Sequence, residues 1–274
     1  MLIYQDENNK MILKSEYITI IVLGDRMEKN LEFLKQNLIA HRGMHNIKKG
    51  IPENSLIAFQ KAIENNYIIE LDLHILKDKS VVVFHDDDLN RMTGINKNIK
   101  DTTYDEIKDL KLQNTNNYIP LLKDVLNLVS GKVPIIIELK YDTKCGILEN
   151  ETMKILKQYR GKYVIKSFNP FSVYWLKRRY PKVIRGQLAS NFTDDKMNII
   201  KKVFLKNMIF NYITKPDFIS YDIKGLPNKK IENYREKNLV LGWTIRNNAD
   251  LEKAEKYCDN FICENLEEIE YKNN

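Results

Sequence analysis

Four polar pairs, His41-Arg42, Glu70-x-Asp72, His85-Asp86 and Glu138-x-Lys140, each close a short apolar run. The runs are Asn37–Ala40, Tyr67–Ile69, Val81–Phe84 and Pro134–Ile137. Side chains alternate along a strand, so Glu70 and Asp72 share one face, as do Glu138 and Lys140. If such strands lie side by side, three carboxylates, two imidazoles and two cations meet at one rim. Crowded carboxylates repel by about 4 kcal/mol per close pair at an effective dielectric of about 20, so a cation or bound protons must relieve them. Three oxygen ligands, Glu70, Asp72 and Glu138, select a hard divalent ion, Mg2+ or Ca2+. His41 and His85 can take a proton from one oxygen and give one to another. Arg42 and Lys140 supply positive charge to phosphate oxygens. The chemistry expected of this set is cleavage of a phosphate ester. His45 and His74 end no apolar run and are expected to lie outside it.

To deliver these groups together the chain must be a sheet with one functional rim. Strand-like segments fall at 38–42, 67–74, 81–86, 134–140, 163–168, 183–189, 218–222, 239–245 and 260–263. Helical patterns fit between most of them. Asn54-Ser55 caps one that begins at Leu56, and Thr103-x-x-Glu106 has the spacing of a capping box. Leu121–Val129 ends at Gly131, and further helices read Phe171–Arg179, Asp195–Phe210, Lys229–Lys237 and Ala249–Tyr257. This alternation predicts an α/β fold, a single-domain (β/α)8 TIM-type barrel. Between Asp72 and Val81 there is no room for a helix, so a hairpin around Asp78-Lys79 is expected to bring His85 roughly opposite Asp72. Nine candidate strands compete for eight places, so one must lie outside the barrel.

The 274 residues are 43% hydrophobic and 30% charged, a globular composition that one large domain can satisfy. The net charge of +7 is spread over helix-like segments, which predicts a solvated basic surface and no nucleic-acid partner. Three cysteines without metal-ligand spacing predict a reducing, cytoplasmic setting. No apolar run approaches the roughly 18 residues of a membrane span, and no exposed aromatic docking segment is evident, so stable membrane association is not expected. Residues 1–36 are expected to be an N-terminal extension, with one extra strand in Glu16–Leu23, and residues 37–274 the barrel domain. Gly24-Asp25-Arg26 can be encoded by a purine-rich run placed like a ribosome-binding site, which makes Met27 an expected initiator; an intact mass decides this.

Beyond chemistry, the motifs carry a resemblance. His41-Arg42-Gly43, Pro52-Glu53-Asn54-Ser55 with Ala58-Phe59 and Ala62, Ile69-Glu70-Leu71-Asp72, and Val83-Phe84-His85-Asp86 with Leu89, Arg91 and Thr93 follow in order. Ile119-Pro120-Leu121-Leu122, Ile137-Glu138-Leu139-Lys140, Ser167-Phe168 and Gly242-Trp243-Thr244-Ile245 continue it. Together they resemble the glycerophosphodiester phosphodiesterase family over nearly everything after residue 37. The resemblance implies hydrolysis of small-molecule glycerophosphodiesters to sn-glycerol 3-phosphate and an alcohol, through a cyclic phosphate. It implies His41 and His85 as the acid/base pair, Arg42 and Lys140 at the phosphate, and Glu70, Asp72 and Glu138 on the metal. Trp243, with Phe168 nearby, would wall the glycerol pocket. Cys263-Glu264-Asn265 stands where the family has a Thr-Asp turn, and no chemical role is expected of it. A lipid-cleaving relative and a non-catalytic binding barrel are the alternatives.

Overall fold

The computed structural model describes residues 2–5, 11–15, 18–21, 29–140, 145–191 and 208–271. It divides into two compact units, Met1–Asn30 and Leu31–Asn274. The first contains an antiparallel sheet of β1 (Leu2–Gln5), β2 (Met11–Ser15) and β3 (Ile18–Ile21), in that order. The sequence suggested only its last strand.

The second unit is a closed barrel of eight parallel strands. They are β4 (Ile39–Ala40), β5 (Ile68–Ile75), β7 (Ile135–Leu139), β8 (Tyr163–Ser167), β9 (Arg185–Ala189), β10 (Phe218–Asp222), β11 (Leu239–Ile245) and β12 (Asn260–Cys263). β12 pairs back onto β4, and β4 onto β5, which closes the ring. The ninth candidate is β6 (Val81–Val83), antiparallel to β5 and outside the ring. The hairpin thus forms as expected, and the Phe84 amide bonds the Asp72 carbonyl, one residue short of His85.

β-Branched and leucine-rich runs make these strands because both their faces are covered. Inward-facing Ile39, Ile68, Ile136, Val164, Phe218, Leu239, Leu241 and Ile262 form one apolar floor with Phe33 and Leu34, from the turn Glu32–Leu34. Those two residues bring the start of the barrel unit forward from residue 37. Outward-facing Ile69, Leu71 and Ile137 pack with Phe59 and Ala62 of helix Leu56–Glu64 and with Val125 and Val129 of helix Leu122–Val129. A third core of Val82, Phe84, Leu89, Met92, Ile99, Ile107 and Ile119 supports the excursion after β6 that carries His85.

Several boundaries differ from the sequence expectation. The first strand ends at Ala40, because Arg42 and Gly43 turn with φ of 55° and 78°. Helix Leu122–Val129 is ended by Ser130 in the left-handed region, one residue before Gly131. Helix Ile147–Leu156 lacked a recognised signal. The other expected helices form at Tyr104–Ile107, Pro170–Arg179, Lys229–Arg235 and Asn248–Glu255. The expected helix Asp195–Phe210 lies mostly outside the described residues. Among them, no helix is long and apolar enough to cross a membrane.

Candidate active site

Each inward position one step above the apolar floor carries a polar group on one side of the barrel. On β5 the sequence Ile68, Glu70, Asp72 climbs from floor to rim; on β7 it is Ile136, Glu138; on β8 it is Val164, Lys166. Register sets Asp72 beside Glu138 and Glu138 beside Lys166. Ligand oxygens of Glu70, Asp72 and Glu138 lie within 4.8 Å of one another. All three residues are buried, with relative exposures of 0%, 1% and 6%.

Such burial of charge needs partners. Lys140 Nζ sits 2.8 Å from Asp72 Oδ1 and 2.7 Å from Glu138 Oε1. Arg42 donates its backbone N–H to Glu70 Oε2 at 3.1 Å, and its Nε is 3.4 Å from Asp72 Oδ2. Gly43 makes that turn possible, since a Cβ there would fall 2.9 Å from Ala58 backbone and side chain. Burial works against ionisation of Asp72, but Lys140, His85, Arg42 and His41 outweigh it and hold its carboxyl well below the usual range. The same contest, won by Lys166 and His41 over burial and Asp72, lowers Glu70. Both histidines thus act electrostatically on the carboxylate cluster.

Each histidine is braced on one nitrogen. His41 Nδ1 donates to Glu264 Oε1 at 2.8 Å, and Arg246 Nε stands 3.2 Å from the other oxygen. His85 Nδ1 donates to Asp86 Oδ1 at 2.6 Å; Asp86 is in turn held by Arg91, which binds Glu53, which binds Arg42. With Nδ1 fixed as a donor, Nε2 is the nitrogen left for substrate.

Trp243 and Phe168 meet at the rim, edge to face, with centroids 5.7 Å apart and planes at 82°. Trp243 Nε1 is buried without a hydrogen-bond partner. The structure thus brings all nine expected residues to one mouth.

Six residues at the site carry contacts that the sequence did not indicate. Glu264 braces His41, so the departure from the Thr-Asp turn does carry a chemical group. Asn54 was read as a helix cap, but Ser55 accepts from the Ala58 amide, while Asn54, at φ 54°, donates Nδ2 to Asp72 Oδ2 at 2.9 Å. His74 is not a bystander: its Nε2 donates to the His85 carbonyl at 3.2 Å. Asp86 with Arg91 forms the brace behind His85. Lys166 is 2% exposed, with Nζ 2.8 Å from Glu70 Oε1 and 3.8 Å from Glu138 Oε2. Its signal was a lone charge in the apolar run Tyr163-Val164-Ile165-Lys166.

Glu70 Oε1 is buried and lacks a hydrogen-bond partner, because the Lys166 ion pair falls outside hydrogen-bond geometry. Three buried carboxylates whose oxygens lie within 4.8 Å of one another fit a divalent cation.

The family model for the glycerophosphoryl diester phosphodiesterase family matches residues 41–263. A glycerophosphodiester phosphodiesterase of Caldanaerobacter subterraneus subsp. tengcongensis is 32% identical over 169 residues, covering 57% of this chain and 67% of that protein. The lysophospholipase D GDPD1 of Rattus norvegicus is 34% identical over 149 residues, covering 50% and 45%. The match thus spans about two thirds of the first relative's length and less than half of the second's. Among solved structures, an Oleispira antarctica phosphodiesterase in complex with the product sn-glycerol-3-phosphate superposes with TM-score 0.68 at 22% identity, covering 83% of this chain and 92% of that one. The glycerophosphodiester phosphodiesterase of Thermotoga maritima gives TM-score 0.64 at 25% identity, covering 83% and 94%. Both share the barrel.

Proposed function

Because the chain belongs to the glycerophosphoryl diester phosphodiesterase family, we propose that it hydrolyses glycerophosphodiesters to sn-glycerol 3-phosphate and an alcohol. The observation that carries this reading is the convergence of three buried carboxylates, two carboxylate-braced imidazoles, Arg42 and Lys140 at one rim. Glu70, Asp72 and Glu138 would hold Mg2+ or Ca2+. When bound, that ion would balance charge on the phosphate and acidify the attacking hydroxyl.

The attacking oxygen is the glycerol 2-hydroxyl, already tethered to the phosphate, so little entropy is lost in reaching it. His41 takes the hydroxyl proton at Nε2, and His85 delivers one to the departing alcohol oxygen. The resulting cyclic phosphate is opened by water with the two roles reversed. Arg42 and Lys140 orient the phosphate oxygens. Trp243 and Phe168 pack on the glycerol carbons, and Trp243 Nε1–H is available to a glycerol hydroxyl. A reducing compartment, the cytoplasm, suits the buried thiols Cys258 and Cys263.

A second reading, cleavage of lysophospholipids, is favoured by one group of side chains. Phe171, Tyr174, Ile209, Tyr212 and Ile213 are exposed, Phe171 to 62% and Tyr212 to 88%. Phe171 opens the helix that follows β8, so it lies at the same end of the barrel as the site.

One assay separates these readings. Glycerophosphocholine, a lysophospholipid and single-stranded DNA are offered in turn, with EDTA or with added Mg2+ or Ca2+. The proposal expects metal-restored turnover on glycerophosphocholine above that on lysophospholipid, and none on DNA. A preference for lysophospholipid selects the second reading; no turnover on either phosphodiester favours a binding barrel.

A further inference from the structure

Charge at the carboxylate cluster is already largely met by the chain itself, with Arg42 shared between Asp72 and Glu53. Glu70, Asp72 and Glu138 supply three negative charges, and Arg42, Lys140 and Lys166 supply three positive ones within 4.0 Å of them. Lys140 bridges Asp72 and Glu138, whereas Lys166 pairs with Glu70 Oε1 at 2.8 Å. Lys166 projects from the neighbouring strand β8, in register with Glu138, and is too deeply buried to leave for solvent without disturbing the barrel. Its ammonium therefore stays beside Glu70 and Glu138, two of the residues that would hold a divalent ion. Two cations facing one another across a carboxylate in a dry site repel strongly.

We propose that Lys166 is a tethered counter-cation that shares Glu70 with the divalent ion and sets how tightly this chain holds it. The inference rests on the metal triad proposed above. Removing the ammonium leaves three carboxylates against two cations, and the cluster then needs an ion to be neutral. Buried carboxylates left short of positive charge are costly, so the metal-free variant also loses stability that an ion can return.

The test is calorimetric titration of the metal-free full chain with Ca2+ and, separately, with Mg2+, together with melting temperatures in each state. Lys166→Met removes the charge at similar volume; Lys166→Arg keeps it. The proposal expects Lys166→Met to bind Ca2+ about 10-fold or more tightly than the unmodified protein, a sizeable change for one buried like charge near a divalent ion. It also expects a larger rise in Tm on adding Ca2+ in that variant, and no tightening in Lys166→Arg. A purely structural lysine would lower the Tm of Lys166→Met while leaving the Ca2+ affinity unchanged, and that result overturns the proposal. Tightening in Lys166→Arg would overturn it too, and this arm stands if Lys166→Met does not fold. Absence of any metal binding in all three proteins would instead refute the triad itself. Binding of equal strength in all three leaves the triad standing and removes Lys166 from it.

Discussion

The mouth of the barrel has a charged arc and a neutral arc. On β4, β5, β7 and β8 the positions above the floor lead to His41, Glu70, Asp72, Glu138, Lys140 and Lys166. On β9, β10 and β11 the corresponding inward positions are Gly186, Leu188, Ser220, Asp222 and Trp243. Gly186 is required there, since a Cβ would fall 2.3 Å from the Phe218 ring. Every carboxylate on the charged arc is matched by a cation or a strong donor. The neutral arc carries no histidine, lysine or arginine at these positions, and its one carboxylate, Asp222, caps the turn Ile223–Gly225. Under the proposed function, bond breaking falls to the charged arc and glycerol recognition to the neutral one, so substitutions on the two arcs should fail in different ways.

The largest failure should come from stripping the charged arc of its ion. EDTA should abolish hydrolysis and added Mg2+ or Ca2+ restore it, and Glu70→Gln or Asp72→Asn should lose activity and metal together. Full turnover by a verified metal-free preparation would erase the distinction between the arcs. Next come the histidines. His41→Ala and His85→Ala should fold and lose about 10² to 10⁴-fold in kcat, the usual contribution of a general acid or base. Near-native kcat in both variants would remove them from the reaction.

His74 sharpens the comparison, because its side chain touches the His85 backbone and is expected to act through it. Burial pushes its imidazole pKa down, which keeps it neutral and able to donate to the His85 carbonyl. His74→Phe should lower kcat by up to about 10²-fold through misplacement, with KM little changed. A matched rise in KM would show instead that the pocket has collapsed.

On the neutral arc, Trp243→Ala should cost about 1–3 kcal/mol of glycerol binding, read as a higher KM. Cleavage of an aryl phosphodiester without glycerol should be spared. Equal losses on both substrates with a large fall in Tm would make Trp243 a packing residue.

The smallest effect concerns stability. Burial opposes ionisation of Glu264, but the hydrogen bond and charge of His41, with Arg246, hold its carboxyl at about 2 against an ordinary 4.5. A folded pKa below the unfolded one stabilises fully above pH 4.5 and loses that contribution as pH falls through about 2. Glu264→Gln should flatten that part of the Tm–pH curve, by on the order of 1 kcal/mol given partial solvent screening. Identical acid limbs in the two proteins would detach Glu264 from His41.

Strands were legible because their apolar runs are short, β-branched and end in charge. The carboxylate triad was legible because its i, i+2 spacing fixes a shared face. What escaped depends on tertiary geometry. Asn54 reaches Asp72 only because its backbone enters the left-handed region, and a cap residue gives no warning of that. Glu264 braces His41 across the closing seam of the barrel, 223 residues apart in the chain. Lys166 was visible by the same spacing rule as Glu70, since Val164, Lys166 and Phe168 share a face, but a lysine at a strand end also reads as a solvated rim. The sheet of β1–β3 has no motif to announce it.

The central claim is that the charged arc releases sn-glycerol 3-phosphate from a glycerophosphodiester. Phosphorus NMR of glycerophosphocholine with the Mg2+- or Ca2+-loaded protein tests it most directly, because it identifies which ester bond breaks. The account predicts that the diester resonance gives way to that of sn-glycerol 3-phosphate, and that EDTA or His85→Ala stops the conversion. Phosphocholine as the product, or undiminished turnover in EDTA, would contradict it.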